Sequence, residues 1–126
     1  MRIDHVLIRA RDLDAMRAFF TDGIGLEVGP RPAFSFSGYW LYAHGQPVIH
    51  LRDLGGLEPP AGGGPAWPFD HVAFAGDDYR ALVARLEANG IAFVERELPG
   101  GAIHQVFATG PDGVRVEIQF PVSAVA

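Results

Sequence analysis

Residues 69–74 read FDHVAF and residues 3–8 read IDHVLI, so an Asp-His-Val triplet between apolar residues occurs twice, 66 positions apart. Self-similarity of this kind marks a duplicated supersecondary unit, and the residues after each copy agree in kind. After the first comes RDLDAMRAFFTDGIG, with Leu13, Met16 and Phe20 at helical spacing and Asp12 placed to cap the N-terminus. After the second comes DDYRALVARLEANGI, with Tyr79, Leu82, Val83 and Leu86 on one helical face and Gly90 as a stop signal. Strand-like segments come next. In the first half they lie at roughly 34–43 and 47–52 with a turn at His44-Gly45; in the second they lie at roughly 92–97, 102–109 and 114–120, with Gly110-Pro111-Asp112-Gly113 as the last turn. Each half reads as β-α-β-β-β. The expected fold class is α+β: one domain over residues 1–126, with module 1 at 1–54, a connector at 55–68 and module 2 at 69–121. Neither half is large enough to bury a sheet face alone, and the connector, GGLEPPAGGGPAWP, has the proline and glycine content of a solvated segment.

Bulk properties narrow the function. Hydrophobic content of 48% with 20% charged residues is that of a globular domain rather than a disordered or fibrous chain. The net charge is −5 and all ten basic residues are arginines scattered singly, which argues against a nucleic-acid or anionic-membrane partner. With no cysteine, disulfides and thiolate metal sites are excluded. No apolar run approaches a membrane span, and the chain enters IDHVLI without a charged-then-apolar leader. A cytoplasmic enzyme or binding protein acting on a small molecule is expected.

Strand side chains alternate between faces, so parity shows what each sheet surface carries. Val6 and Ile8 oppose His5 and Leu7; Val72 and Phe74 oppose His71 and Ala73. Ile49 and Leu51 oppose His50, while Val116, Ile118 and Phe120 oppose Glu117 and Gln119. One face is apolar and suited to the two amphipathic helices. The other bears His5, His50, His71 and Glu117. Each half supplies one such residue from its first strand and one from its last, since His50 and Glu117 are themselves 67 positions apart. Neutral imidazole and carboxylate are ligands that zinc, nickel, manganese and ferrous iron accept.

The paired DHV strands and the ending QVFATGPDGVRVEIQF resemble the vicinal oxygen chelate superfamily, which includes glyoxalases, extradiol dioxygenases and bleomycin-resistance proteins. The likeness spans nearly the whole chain, with Gly110 standing where the family's final turn usually has aspartate. It implies two βαβββ modules forming a cup-shaped mixed sheet with helices on the convex face. It also implies a divalent metal (Zn, Ni, Mn or Fe(II)) held by His5, His71 and Glu117, with His50 as a fourth ligand or a general base. Glyoxalase I carries glutamate at the position of His50, where this chain departs from it. The implied activity is a metal-dependent lyase or isomerase acting on a small substrate chelated through vicinal oxygens. A ring-cleaving Fe(II) dioxygenase is the alternative, although that branch has a catalytic tyrosine on the strand where this chain has Phe107. A metal-free binding protein of the bleomycin-resistance type is a second alternative. Relatives of this size often assemble each cup from two chains, so a homodimer is expected.

Three further residues are candidates near the cup. A two-residue loop at Pro111-Asp112 would set Val106 opposite Glu117 and His104 opposite Gln119, making His104 a substrate contact or proton shuttle. The same reasoning at the Ala43–Gln46 turn places Tyr39 beside His50 and sends Trp40 and Tyr42 into the core. Arg115 shares the face of Glu117 and could pair with an anionic substrate.

Overall fold

A computed structural model describes residues 2–58 and 71–125. The chain divides into two compact units, Met1–Ala61 and Gly62–Ala126, with the division inside the expected connector. Most of that connector, together with Phe69 and Asp70, lies outside the described residues.

In the first unit β1 (Val6–Arg9) leads into a helix, α1 (Leu13–Ala18), followed by β2 (Glu27–Gly29), β3 (Gly38–Ala43) and β4 (Gln46–Arg52). The second repeats the plan with β5 (Val72–Ala75), α2 (Tyr79–Ala88), β6 (Phe93–Glu97), β7 (Ile103–Thr109) and β8 (Arg115–Pro121). Each module is a four-stranded mixed sheet, ordered β1-β4-β3-β2 and β5-β8-β7-β6. In each sheet the module's first strand pairs with its last in parallel and in the same register, Val6 beside Ile49 and Val72 beside Val116, and the remaining pairs are antiparallel. The duplication read from the sequence is thus a duplication of strand pairing.

Local chemistry explains the elements. The Asp12 side chain accepts from the Ala15 N–H at 2.9 Å and Asp78 accepts from Ala81 N–H at 3.0 Å, so both helices begin on a side-chain cap. After α1 the chain widens into π turns over Phe19–Ile24, which bury Phe19, Phe20 and Ile24 together. Met16, Phe20, Ile49 and Leu51 are buried in the first unit, where α1 packs against β4. Leu82, Leu86, Val106, Val116, Ile118 and Phe120 fill the second. Each such side chain contributes roughly 1.5–3 kcal/mol relative to exposure. Gly76 closes β5, because any Cβ there would sit 2.4 Å from the Phe120 ring.

Two expectations about the strands change. The β-α-β-β-β plan of the first half has segments for only two strands after its helix; the remaining one is β2, three residues long and too short to show a period of its own, and it pairs with the far end of β3. Residues 34–37 are not strand. Their Phe-Ser-Phe-Ser alternation mimics the period of a strand, but the segment bends and its two rings stack on each other.

Candidate metal-binding half-sites

The two hairpins decide what reaches each face, and both differ by one residue from the simplest reading. In module 1 the His44-Gly45 turn has positive φ at both positions and pairs Ala43 with Gln46, as expected. A bulge then shifts the register between Leu41 and Tyr42, so Trp40 faces His50 and Tyr39 faces Leu51. In module 2 the loop occupies residues 110–114, closed by the Gly110 N–H to the Val114 carbonyl at 2.8 Å, and Phe107 rather than Val106 faces Glu117. A one-residue slip moves every side chain of a strand to the opposite face.

Tyr39 and His104 are therefore corrected. Tyr39 lies on the helix side, where its hydroxyl donates to Asp14 of α1 at 2.6 Å; that bond raises the tyrosine pKa. His104 faces Phe120, with its Nε2 3.0 Å from Glu95 and its ring edge-on to Tyr79 of α2 at 5.4 Å. Tyr79 also donates to Glu95. Burial opposes ionisation of Glu95, but the hydrogen bonds from Tyr79 and His104 outweigh it and hold the carboxyl below its ordinary pKa. Trp40, expected in the core, instead lies on the His50 face.

The first half-site is a stack. The His5 and His50 rings lie 3.9 Å apart at 10°, and Trp40 covers the other side of His50 at 4.0 Å and 10°. His5 Nδ1 is 2.7 Å from an Asp4 carboxylate oxygen. A carboxylate only accepts, so Nδ1 carries the proton and Nε2 keeps a lone pair, the arrangement a metal-ligating histidine needs. His50 Nε2 is 3.0 Å from the Pro47 carbonyl, so by the same logic its lone pair is on Nδ1. Imidazole lone pairs lie in the ring plane. Two rings piled nearly parallel do not both aim their in-plane lone pairs at one point between them. Burial and the neighbouring His5 lower the His50 pKa, outweighing the Pro47 carbonyl and Asp4, and this favours the neutral, proton-accepting form.

The second half-site is built round a buried acid. Glu117 is 7% exposed. Gln105 Nε2 donates to its Oε1 at 2.6 Å, and Arg96 Nε in turn donates to Gln105 Oε1 at 3.0 Å. Carboxylate and guanidinium leave one way for the amide to point. His71 Nε2 lies 3.8 Å from Glu117 Oε1, with its ring edge-on to Phe107 at 5.7 Å. That separation exceeds a hydrogen bond, yet lets both atoms reach one ion through bonds of about 2.0–2.2 Å. Arg115 and Arg96 lie over Phe107 at 5.1 and 4.9 Å, which keeps Arg115 on the face assigned to it.

No three histidine or acidic side chains among the described residues converge as a metal cage. The donor chemistry nevertheless fits a divalent ion: a histidine in the ligating tautomer on one module, and on the other a histidine and an oriented carboxylate. Sequence reasoning missed Gln105, Arg96, Trp40 and Asp4. Trp40 and Phe107 share the 67-residue offset of His50 and Glu117, and that offset is the signal that could have placed them.

The Glyoxalase/Bleomycin resistance protein/Dioxygenase superfamily model matches residues 2–118. A lactoylglutathione lyase of Schizosaccharomyces pombe is 26% identical over 93% of this chain, which spans about half, 46%, of that protein. A lactoylglutathione lyase of Salmonella typhimurium is 28% identical, covering 94% of this chain and 91% of its own length. Among solved structures, a glyoxalase-family protein from Bacillus anthracis superposes with a TM-score of 0.74 at 25% identity, covering 96% of this chain and 95% of its own. No helix among the described residues is long and apolar enough to cross a membrane. With the duplicated module, the half-sites and the matched family model in agreement, the chain belongs to the Glyoxalase/Bleomycin resistance protein/Dioxygenase superfamily.

Proposed function

We propose that the protein is a divalent-metal-dependent lyase or isomerase that acts on a small substrate presenting two adjacent oxygens. His5, His71 and Glu117 would hold the ion and His50 would serve as general base; the histidines and the carboxylate would meet within one chain or between two chains of a homodimer. The reading is carried by the buried Glu117 carboxylate, fixed by Gln105 and 3.8 Å from His71 Nε2. When bound, the ion supplies Lewis acidity that polarises substrate oxygens. Glu117 brings negative charge to the ion while Gln105 and Arg96 keep its oxygens in place. Asp4 keeps the His5 proton on Nδ1, so that Nε2 is the donor atom. His50 Nδ1 accepts the substrate proton, and the Pro47 carbonyl stabilises the imidazolium by accepting from Nε2.

Lactoylglutathione lyase activity, as the relatives' names state, is the first reaction to assay. Histidine in place of glyoxalase I's glutamate at position 50 widens the candidates beyond it. The stacking of His50 away from shared coordination favours a second reading, a ferrous ring-cleaving dioxygenase with a free histidine base, and oxygen uptake with a catechol panel separates the two. Metal analysis of protein purified without chelators tests both. Close to one equivalent of a transition metal per half-site pair supports them, whereas less than about a tenth of an equivalent, unchanged after attempted loading, would leave a metal-free binding protein.

A further inference from the structure

The metal reading leaves unused a cluster on the helix-covered face of the second sheet. Tyr79 of α2 and His104 of β7 both donate to the same oxygen of Glu95 on β6, His104 through Nε2 at 3.0 Å. The carboxylate only accepts, so the imidazole proton is on Nε2. That leaves His104 Nδ1 buried without a hydrogen-bond partner among the described residues. A buried polar atom left unpaired costs stability, and an apolar ring at 104 would avoid the cost. The imidazole is therefore explained by its bond to Glu95 rather than by packing.

What Glu95 secures is the strand that carries it. Within its sheet β6 has one neighbour, β7, and Val94, Glu95, Arg96 and Glu97 are exposed. Register is strongly specified where one face of a strand is apolar and buried and the other is polar. Phe93 and Val94 are both apolar and point to opposite faces, so the apolar pattern of β6 does not choose between them. The loop returning to β7 is permissive, because Gly100 and Gly101 both take positive φ with open space where a Cβ would stand.

The polar residues do choose. Glu95, Arg96 and Glu97 alternate between the two faces of the strand. On the helix side Glu95 meets Tyr79 and His104; on the other side Arg96 stands opposite Gln105 and its Nε donates to the amide oxygen at 3.0 Å. Gln105 in turn donates to Glu117 at 2.6 Å. A shift of β6 by one residue would set Glu95 or Glu97 opposite Gln105, bringing a second carboxylate toward the buried Glu117 and turning Arg96 to the helix side. Arg96 also lies over the Phe107 ring, which stands edge-on to His71. One side chain of β6 thus braces both the acid and the imidazole of this half-site, and it faces them only in the observed register.

We propose that Tyr79, Glu95 and His104 form a register lock on β6 and through it position Arg96, Gln105 and the Glu117 carboxylate. All three are positioning residues, acting on the site from the opposite side of the sheet. The lock stands whatever Glu117 binds; that the aimed carboxylate holds a metal rests on the metal-centre reading.

The test follows the Arg96 Nε–H and Gln105 side-chain amide signals by NMR in the chelator-treated full chain. His104→Phe keeps a ring, removes the bond to Glu95 and removes the unpaired nitrogen. Solvent exchange of the Arg96 Nε–H should then speed up about tenfold or more, the change expected when a hydrogen bond to a charged group no longer holds the strand closed. Tyr79→Phe, which keeps the imidazole and so guards against misfolding, should speed it severalfold. His104→Gln, whose amide N–H can stand where Nε2 stands, should restore most of the protection. Val83→Ala removes half-buried volume from the same helix without touching the cluster, and should leave both signals unchanged. Unchanged exchange in folded His104→Phe and Tyr79→Phe chains, or an equal loss in Val83→Ala, would overturn the lock. Calorimetric titration with zinc separates the lock from the metal centre. Faster exchange with weaker zinc binding supports both, whereas faster exchange at unchanged zinc affinity supports the lock and counts against Glu117 as a ligand.

Discussion

The two modules share strand order, register and helix caps, and they differ in what stands at the matched positions facing the proposed centre. In module 1 the pair is Trp40 and His50, ring on ring; in module 2 it is Phe107 and Glu117, with the acid gripped from the side by Gln105. The same fold therefore handles its polar residue in two ways. Stacking leaves His50 able to gain and lose a proton. Hydrogen bonding by an amide that is itself held by Arg96 gives the Glu117 carboxyl a set direction. A duplicated scaffold can thus divide labour between an anchoring half and a proton-handling half, with the difference carried by one neighbour in each.

The largest break in that comparison should come from Glu117→Gln, which keeps shape but removes the charge. Metal affinity measured by calorimetry should fall by more than about 100-fold, beyond what loss of an outer partner costs. Gln105→Leu should come next, lowering affinity about 10- to 100-fold by releasing the acid while leaving every ligand present. An affinity unchanged in Gln105→Leu would mean that the amide does not position Glu117.

Trp40→Leu probes the other half. It should leave metal affinity within about a factor of two while removing a ring contact worth roughly 0.5–1.5 kcal/mol of stability. In the metal-free chain the His50 pKa, followed by NMR, should rise toward the ordinary histidine value as burial is relieved. A lowered histidine pKa stabilises the fold above its unfolded value of about 6.5, and that stabilisation is lost as pH falls through the folded value. Trp40→Leu should therefore lessen the acid sensitivity of the fold near that range, and a pKa that stays low would break the link between the stack and the base.

The smallest effect concerns the helix tethers. Module 1 ties sheet to helix through Tyr39 to Asp14, and module 2 ties helix to sheet through Tyr79 to Glu95. Glu95, with its lowered pKa, contributes stability above the unfolded value of about 4.3 that is lost as pH falls through the folded one. Tyr79→Phe should cost about 0.5–1 kcal/mol at neutral pH and less in acid. An equal cost at all pH values in thermal melts would show that the ring alone matters.

Much of this was legible in the chain. The repeated triplet, the capping aspartates and the helical spacing depend on short-range chemistry, and each appears where the residues put it. Side-chain facing was legible for His50 and Glu117 because both lie on strands whose apolar neighbours, Ile49 with Leu51 and Val116 with Ile118, declare the core side. It was not legible for Tyr39 and His104, since their facing depends on pairing across a hairpin. A bulge in one hairpin and a longer loop in the other each shift that pairing by one residue, and neither has a signal in local composition. The slip exchanged Tyr39 for Trp40 and His104 for Phe107 and Gln105 on the functional face.

The central claim is that His5, His71 and Glu117 bind one divalent ion while His50 stays out of its coordination shell. X-ray absorption at the metal edge of protein loaded with one equivalent measures this directly. The account predicts two imidazoles and a carboxylate at about 2.0–2.2 Å, unchanged in His50→Ala. A spectrum lacking imidazole scattering, or one that loses an imidazole in His50→Ala, would contradict it.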